Sequence, residues 1–229
     1  MAKRPIFIPD RNGHLVDELL VEFKWFPGMS LKQKQRSVEA LHHMARERLG
    51  VSRPLEISSK SDQELGVQLS SFNLRFTTQR GRTLTVEAAF QGSKVFALGG
   101  PFRDIFDLSP KEAKRDVRLR ESGALIGFNF YGCDWPLKPR TAFYDWLYIN
   151  ALLKNPNLAE EVKFYDGFTD IEFNPDKSVN CQARSVALYR ALVLSGRLET
   201  ALNSPEDFRD VYDGGVSEPR HVNYHNPLL

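Results

Sequence analysis

The stretch Thr85-Val-Glu-Ala-Ala-Phe-Gln-Gly-Ser-Lys94 places Glu87, Gln91 and Lys94 at i, i+4 and i+7. On a helix that spacing stacks an acid, an amide and an ammonium on one face, with Phe90 beside them. On pattern alone this is a solvated stripe with a partial Glu–Lys pair, worth a few tenths of a kcal/mol. The sharper alternative is a carboxylate turned toward a nearly dry pocket. Other acids also stand in apolar or aromatic company: Asp134 before Trp135, Asp145 before Trp146, then Asp166, Asp170 and Glu172. Asp170 sits within Asp166-Gly-Phe-Thr-Asp-Ile-Glu-Phe-Asn174, and an acid in such surroundings acquires a raised pKa and becomes usable for proton transfer. Taken singly, each is a cap or a solvated loop acid. Glu87 and Asp170 together with a tryptophan suit hydrolysis of a glycosidic bond. One carboxylate steadies an oxocarbenium-like carbon or activates water, another group protonates the leaving group, and an aromatic plane holds a base.

Other chemistries lack their signatures. There is no Gly-Lys-Ser/Thr phosphate loop, Gly-x-Gly-x-x-Gly turn or Gly-x-Ser-x-Gly elbow. His221 and His225 have a zinc-like spacing, but Pro219 and Pro227 flank them, so a loose tail is the simpler reading. His42 and His43 cannot share a helix face and read as surface residues. Cys133 and Cys181 form neither a CxxC nor a disulfide framework, which suits a reducing cytoplasm. No metal and no cofactor is expected.

The elements that must position these residues follow from pattern. Ile6–Pro9, an Asn12-Gly13 turn and the alternating Val21, Phe23 and Trp25 predict a hairpin. Ser30 predicts a helix cap and Gly50 its stop, with Val38, Leu41, Ala45 and Leu49 on one face. The first turns of that helix, LKQKQR, are basic and run against the helix dipole. A short strand begins at Leu55, and a second hairpin with alternating Phe72, Leu74 and Phe76, then Leu84 and Val86, leads into the Glu87 stretch. Ser109-Pro-Lys-Glu112 is a capping box that predicts a helix to about Glu121. Ala124–Phe130 reads as a buried strand. Further helices are expected at 141–154, 157–164 and 179–195, with a last short one capped by Ser204.

Together these predict one α+β domain, more helix than strand, with small antiparallel hairpins toward the N-terminal third. No linker separates two composition regimes, and residues 214–229, Gly, Pro and polar in character, read as a loose tail. A net charge of +2 excludes a histone-like polycation, so any nucleic-acid contact needs a local patch. No apolar run is long enough to span a bilayer, and MAKRPIFIPDRNG lacks the apolar core of a signal peptide. The expectation is a cytoplasmic protein without a membrane partner.

The residues resemble the NADAR (YbiA-like) N-glycosidases, whose helix motif Glu-His-x-x-Gln-Ala-x-Lys is echoed by Glu87-Ala-Ala-Phe-Gln91-Gly-Ser-Lys94. By order and spacing, Trp135, Asp170 and Asn180 match the family's following Trp, Asp and Asn. Its Phe-Ser-Asn-Phe stretch is echoed by Leu69-Ser-Ser-Phe-Asn-Leu74, with the counterpart open between Ser70, Ser71 and Asn73. EISSKSDQELG, AFQGSKVF, FYDWLYINAL and FTDIEFNPDKSVNCQAR are similar to the branch paired with DarT-type DNA ADP-ribosyltransferase toxins. The resemblance spans about residues 55 to 200, and so implies a catalytic domain at 55–213 behind a hairpin-plus-helix extension at 1–54. It implies an antitoxin that removes ADP-ribose from guanine in DNA, and it implies a cognate toxin as a further partner. Ala88 in place of the family's His, and Glu172-Phe-Asn-Pro in place of its Trp-Gly, argue against a riboflavin-pathway ribosylamino-pyrimidine, the family's small-molecule substrate.

In that reading Glu87, Asp170 and Trp135 are catalytic, with Trp135 stacking on the base. Gln91 and Lys94 hold Glu87 or the ribose, Phe90, Asn73 and Asn180 complete the pocket, and Ser58, Ser59 and Lys60 suit a diphosphate by their chemistry. Which acid protonates and which stabilises stays open. So do two readings of other classes: a non-catalytic protein that sequesters a toxin, and a nucleic-acid-binding domain using the LKQKQR helix.

Overall fold

The computed structural model describes residues 1–10, 15–176 and 178–213. The Asn12-Gly13 turn, His221, His225 and the tail from 214 lie outside the described residues. Strands β1 (Ala2–Pro9) and β2 (Val16–Phe23) pair antiparallel, Ala2 opposite Phe23 and Pro9 opposite Val16. Helix α1 (Leu31–Leu49) begins where the Ser30 hydroxyl accepts the Gln33 N–H and ends at Gly50, whose φ of 67° favours glycine. There follow β3 (Pro54–Glu56), α2 (Glu64–Gln68), β4 (Arg75–Thr77), β5 (Thr83–Thr85), α3 (Val86–Gly92) and β6 (Lys94–Phe96). A 3₁₀ turn at Arg103–Asp107 leads to α4 (Pro110–Arg115), α5 (Arg118–Glu121), β7 (Leu125–Phe130) and β8 (Cys133–Trp135). The chain closes with α6 (Ala142–Leu153), α7 (Pro156–Glu161), β9 (Gly167–Thr169), α8 (Gln182–Leu194), α9 (Leu198–Leu202) and α10 (Pro205–Asp213).

The fold is α+β. Its central sheet has the order β2-β1-β9-β3 and is mixed: β1 meets β9 antiparallel at Phe7–Phe168, while β3 runs parallel to β9, Leu55 opposite Phe168 and Glu56 opposite Thr169. Phe7, Phe168 and Leu55 are fully buried in one core, and Ile6 joins Val38, Leu41 and Ala45 of α1 in a second. Successive residues of a strand face opposite ways, so the sheet is covered on both sides and Glu56 and Thr169 share a face. The N-terminal hairpin, which the resemblance sets apart from residue 55 onward, is hydrogen-bonded into the same sheet as β9 and β3.

Helices α3 and α6 are buried over most of their length. All seven residues of α3 are buried, as are nine of the twelve in α6, which is apolar almost all round. Gly92 lets α3 sit tightly, since a Cβ there would lie 2.5 Å from the Phe106 ring. Gly66 does the same for α2, where a Cβ would lie 2.0 Å from the Glu56 carbonyl oxygen.

Three expected elements differ. The helix from Ser109 stops at Arg115, because Asp116 leaves helical geometry and its carboxylate accepts the backbone N–H of Arg118 at 3.0 Å and its Nε at 2.9 Å. The strand expected from Phe72 is a turn, with Asn73 and Leu74 N–H both donating to the Ser70 carbonyl. The helix expected from Val179 starts at Gln182, leaving the residues before it to border a cavity.

Candidate active site

A cavity of about 660 Å³ opens between α3, the turn at 70–72, the end of β3 and the segment from Asp170 to Gln182. Glu87 and Asp170 both line it, with Ser58, Ser59, Lys60, Phe90, Gln91, Lys94 and Asn180. The surface-stripe reading of Glu87 and Gln91 does not hold, because both belong to the fully buried α3. Lys94 reaches the same cavity from β6 rather than from the helix.

Glu87 is held by two donors. The Gln91 Nε2 reaches one carboxylate oxygen at 2.9 Å and the Ser71 hydroxyl the other at 3.2 Å. Glu87 N–H donates to the Ser71 carbonyl, and Ser71 N–H donates to Gln182 Oε1 at 2.7 Å, so α3 and α8 are joined through this turn. With Nε2 committed to Glu87, Gln91 Oε1 is buried and has no hydrogen-bond partner among the described residues. Tyr144 lies beside the pair, and burial first, then the Glu87 charge, push its phenol well above the ordinary range, so it stays a neutral donor.

Asp170 is the opposite kind of acid. Burial first, then the Glu56 carboxylate, raise it to about 8, against the partial offset of the Glu172 N–H and the Gln182 amide. Glu56 is fully buried. Its carboxylate accepts the Ser58 hydroxyl and the Thr169 hydroxyl, each at 2.6 Å, and the Ile171 N–H at 2.8 Å. Burial also pushes Glu56 upward. Three donors favour its ionised form, so the proton of the pair resides on Asp170. The Thr169 hydroxyl, having given its one proton to Glu56, must accept from His42 Nε2 at 2.9 Å. Burial, with Arg46 assisting, lowers His42 to about 3 and keeps the ring neutral, so His42 is an interior residue, not the surface residue expected.

Positive charge also lines the cavity. Lys94 and Lys114 both line it, their Nζ atoms over Phe90 at 4.9 Å and Phe72 at 5.5 Å. Burial lowers the Lys94 pKa and Lys114 lowers it further, while Glu87 opposes the shift. With Lys60 and Ser59, this is a donor set for an anion such as a diphosphate, while the expected Ser58 hydroxyl is already given to Glu56.

Two expected site residues do not reach the cavity. Trp135 is 2% exposed, packed against Trp146 at 5.1 Å and Phe143 at 5.7 Å, because alternation along β8 turns Asp134 outward and Trp135 into the core. Asn73 is exposed, and its amide donates to the Val67 carbonyl at 2.8 Å. The aromatic faces bordering the cavity are instead Phe72, Phe90, Tyr144 and Phe173. Two further acids are structural: Asp166 accepts the backbone N–H groups of Ser52 and Arg53, and buried Asp145 pairs with Arg184 and Ser185, whereas Glu172 lines the cavity. Among the described residues no group of three or more His, Cys, Asp or Glu could hold a metal ion, and no helix is long and apolar enough to cross a membrane.

Fold and cavity define an α+β domain in which a buried glutamate held by two donors and an aspartic acid raised to about 8 line one cavity with three lysines. The family described as DarT1-associated NADAR antitoxin matches residues 2–221, and the chain belongs to that family. No curated protein matches the chain. The match begins in the N-terminal hairpin, which the sequence resemblance did not include.

Proposed function

We propose that the protein is an N-glycosidase that removes ADP-ribose from guanine in DNA, and that it thereby reverses the modification made by a DarT-type toxin. The observation that carries this reading is the contrast between Glu87, held by the Gln91 amide and the Ser71 hydroxyl, and Asp170, raised to about 8 on the same cavity. Glu87 places negative charge where positive charge develops at the anomeric carbon. Asp170 gives its proton to the guanine nitrogen as the carbon–nitrogen electron pair moves onto that nitrogen. Water bonds the anomeric carbon and gives up the balancing proton. Lys60, Lys94 and Lys114, with Ser59, hold the diphosphate, the Ser58 hydroxyl being committed to Glu56. Gln91 holds the Glu87 carboxylate in place through its Nε2. Phe72 or Phe173 supplies the stacking plane expected of Trp135.

The experiment is incubation with an ADP-ribosylated oligonucleotide and mass analysis of both products. Free ADP-ribose together with unmodified guanine in the strand is the expected outcome. Release of modified guanine with an abasic site, or hydrolysis confined to a ribosylamino-pyrimidine, would overturn the assignment.

A further inference from the structure

Outside the cavity, the densest charge segregation lies between the hairpin and α1. The segment from Lys24 to Arg36 carries Lys24, Lys32, Lys34 and Arg36 and no acid, in a chain whose net charge is only +2. Local stability does not account for it. The first turn of α1 has no acidic residue, so its cations sit at the positive end of a helix dipole, where they are unfavourable. Apart from exposed Lys32, the cations of the segment nonetheless lie over two rings. Arg36 lies over Phe26 at 4.1 Å with Lys24 at 5.1 Å from the same ring, and Lys34 lies over Trp25 at 5.0 Å with Arg4 at 5.6 Å. Such contacts contribute about 0.5–1 kcal/mol each at exposed sites, which biases the side chains toward these positions against about 1.5–2 kcal/mol of rotamer entropy. Beside them Met29 is 98% exposed and Leu31 52% exposed, apolar surface on an otherwise cationic strip.

The strip is continuous with the active site. Lys34 Nζ pairs at 2.9 Å with Glu172, and Glu172 lines the cavity. We propose that this strip is the track for the phosphate backbone of the nucleic-acid strand whose modified nucleotide occupies the cavity. The inference rests on the proposed function for the identity of the strand, but the surface chemistry is independent of turnover. A modified base that enters the cavity leaves its flanking phosphates outside, and the Lys34–Glu172 rim leads directly to the strip. The cations meet the phosphates, and Met29 and Leu31 offer apolar contact to sugars or unstacked bases. A nucleic acid fits better than an acidic protein face because the strip joins the cavity itself.

The test uses the full chain and an unmodified single-stranded DNA oligonucleotide, with affinity measured across a salt series. The variant is Lys24→Gln/Lys32→Gln/Arg36→Gln, which leaves the Lys34–Glu172 pair intact. We expect weaker binding at low salt and a log–log salt slope shallower by about 2, from about 0.7 for each phosphate no longer neutralised. Turnover of ADP-ribosylated guanosine should be unchanged. A correctly melting variant with the wild-type slope overturns the proposal. If the variant does not fold, the wild type still decides: oligonucleotide affinity insensitive to salt overturns the proposal without it. Normal DNA binding with impaired association to a toxin would reassign the strip to a protein partner. Absence of hydrolysis in the wild type would sink the proposed activity and leave this binding result standing.

Discussion

Glu56 grips the chain on both sides of Asp170. Its carboxylate accepts the Thr169 hydroxyl at 2.6 Å and the Ile171 N–H at 2.8 Å, so the acid between them is fixed in place by a second, fully buried acid. The same arrangement fixes the proton, since the Glu56 charge disfavours ionisation of Asp170.

Glu56→Gln should therefore move a pH profile. The amide keeps an acceptor for Ile171 and removes the charge, so Asp170 should ionise at lower pH. We expect the alkaline limb of kcat to shift down by about 1 unit or more, each unit corresponding to about 1.4 kcal/mol. A purely structural role would lower the melting temperature and leave the limb where it was.

Much of this site was legible in the sequence, and the illegible part has a physical cause. Ser30 and Gly50 bound α1 as read, because caps are local and their partners lie within a few residues. The Glu87–Gln91 pair was legible for the same reason, being one helical turn apart. Glu56 was not, because its partners Thr169 and Ile171 come from the other side of the chain and His42 from α1. Lys114 was missed likewise, since only the packing of α4 against α3 brings it to the cavity. Trp135 was misplaced because order and spacing do not say which face of a three-residue strand looks inward.

Asp170→Asn should stabilise the fold in a pH-dependent way. Asp170 binds its proton more tightly folded, at about 8, than it would unfolded, near 3.9. Its stabilising contribution is full below the unfolded value and is lost as pH rises toward 8. The gain in melting temperature on substitution should be small at pH 4, grow through neutrality and level off above pH 8. A gain of about 1 kcal/mol would appear as about 2–4 °C. A gain independent of pH would show that Asp170 is ionised throughout.

Trp135 and Phe72 should separate packing from binding. Trp135→Phe leaves a void beside Trp146 and Phe143, so it should lower stability by about 1–3 kcal/mol while sparing kcat/KM of the folded enzyme. Phe72→Ala should do the reverse, raising KM for the oligonucleotide by the equivalent of about 1–3 kcal/mol per stacked base. Equal KM effects would return Trp135 to the site.

The central claim is that Glu87 stabilises charge in the transition state, and one paired measurement tests it most directly: turnover of ADP-ribosylated oligonucleotide and thermal melt, for wild type and Glu87→Gln. The amide preserves the shape of the side chain on the buried α3, so we expect an unchanged or higher melting temperature with kcat reduced by about 10²–10³. A variant as stable and as active as wild type would contradict the claim, and so would activity that falls only in proportion to the folded fraction.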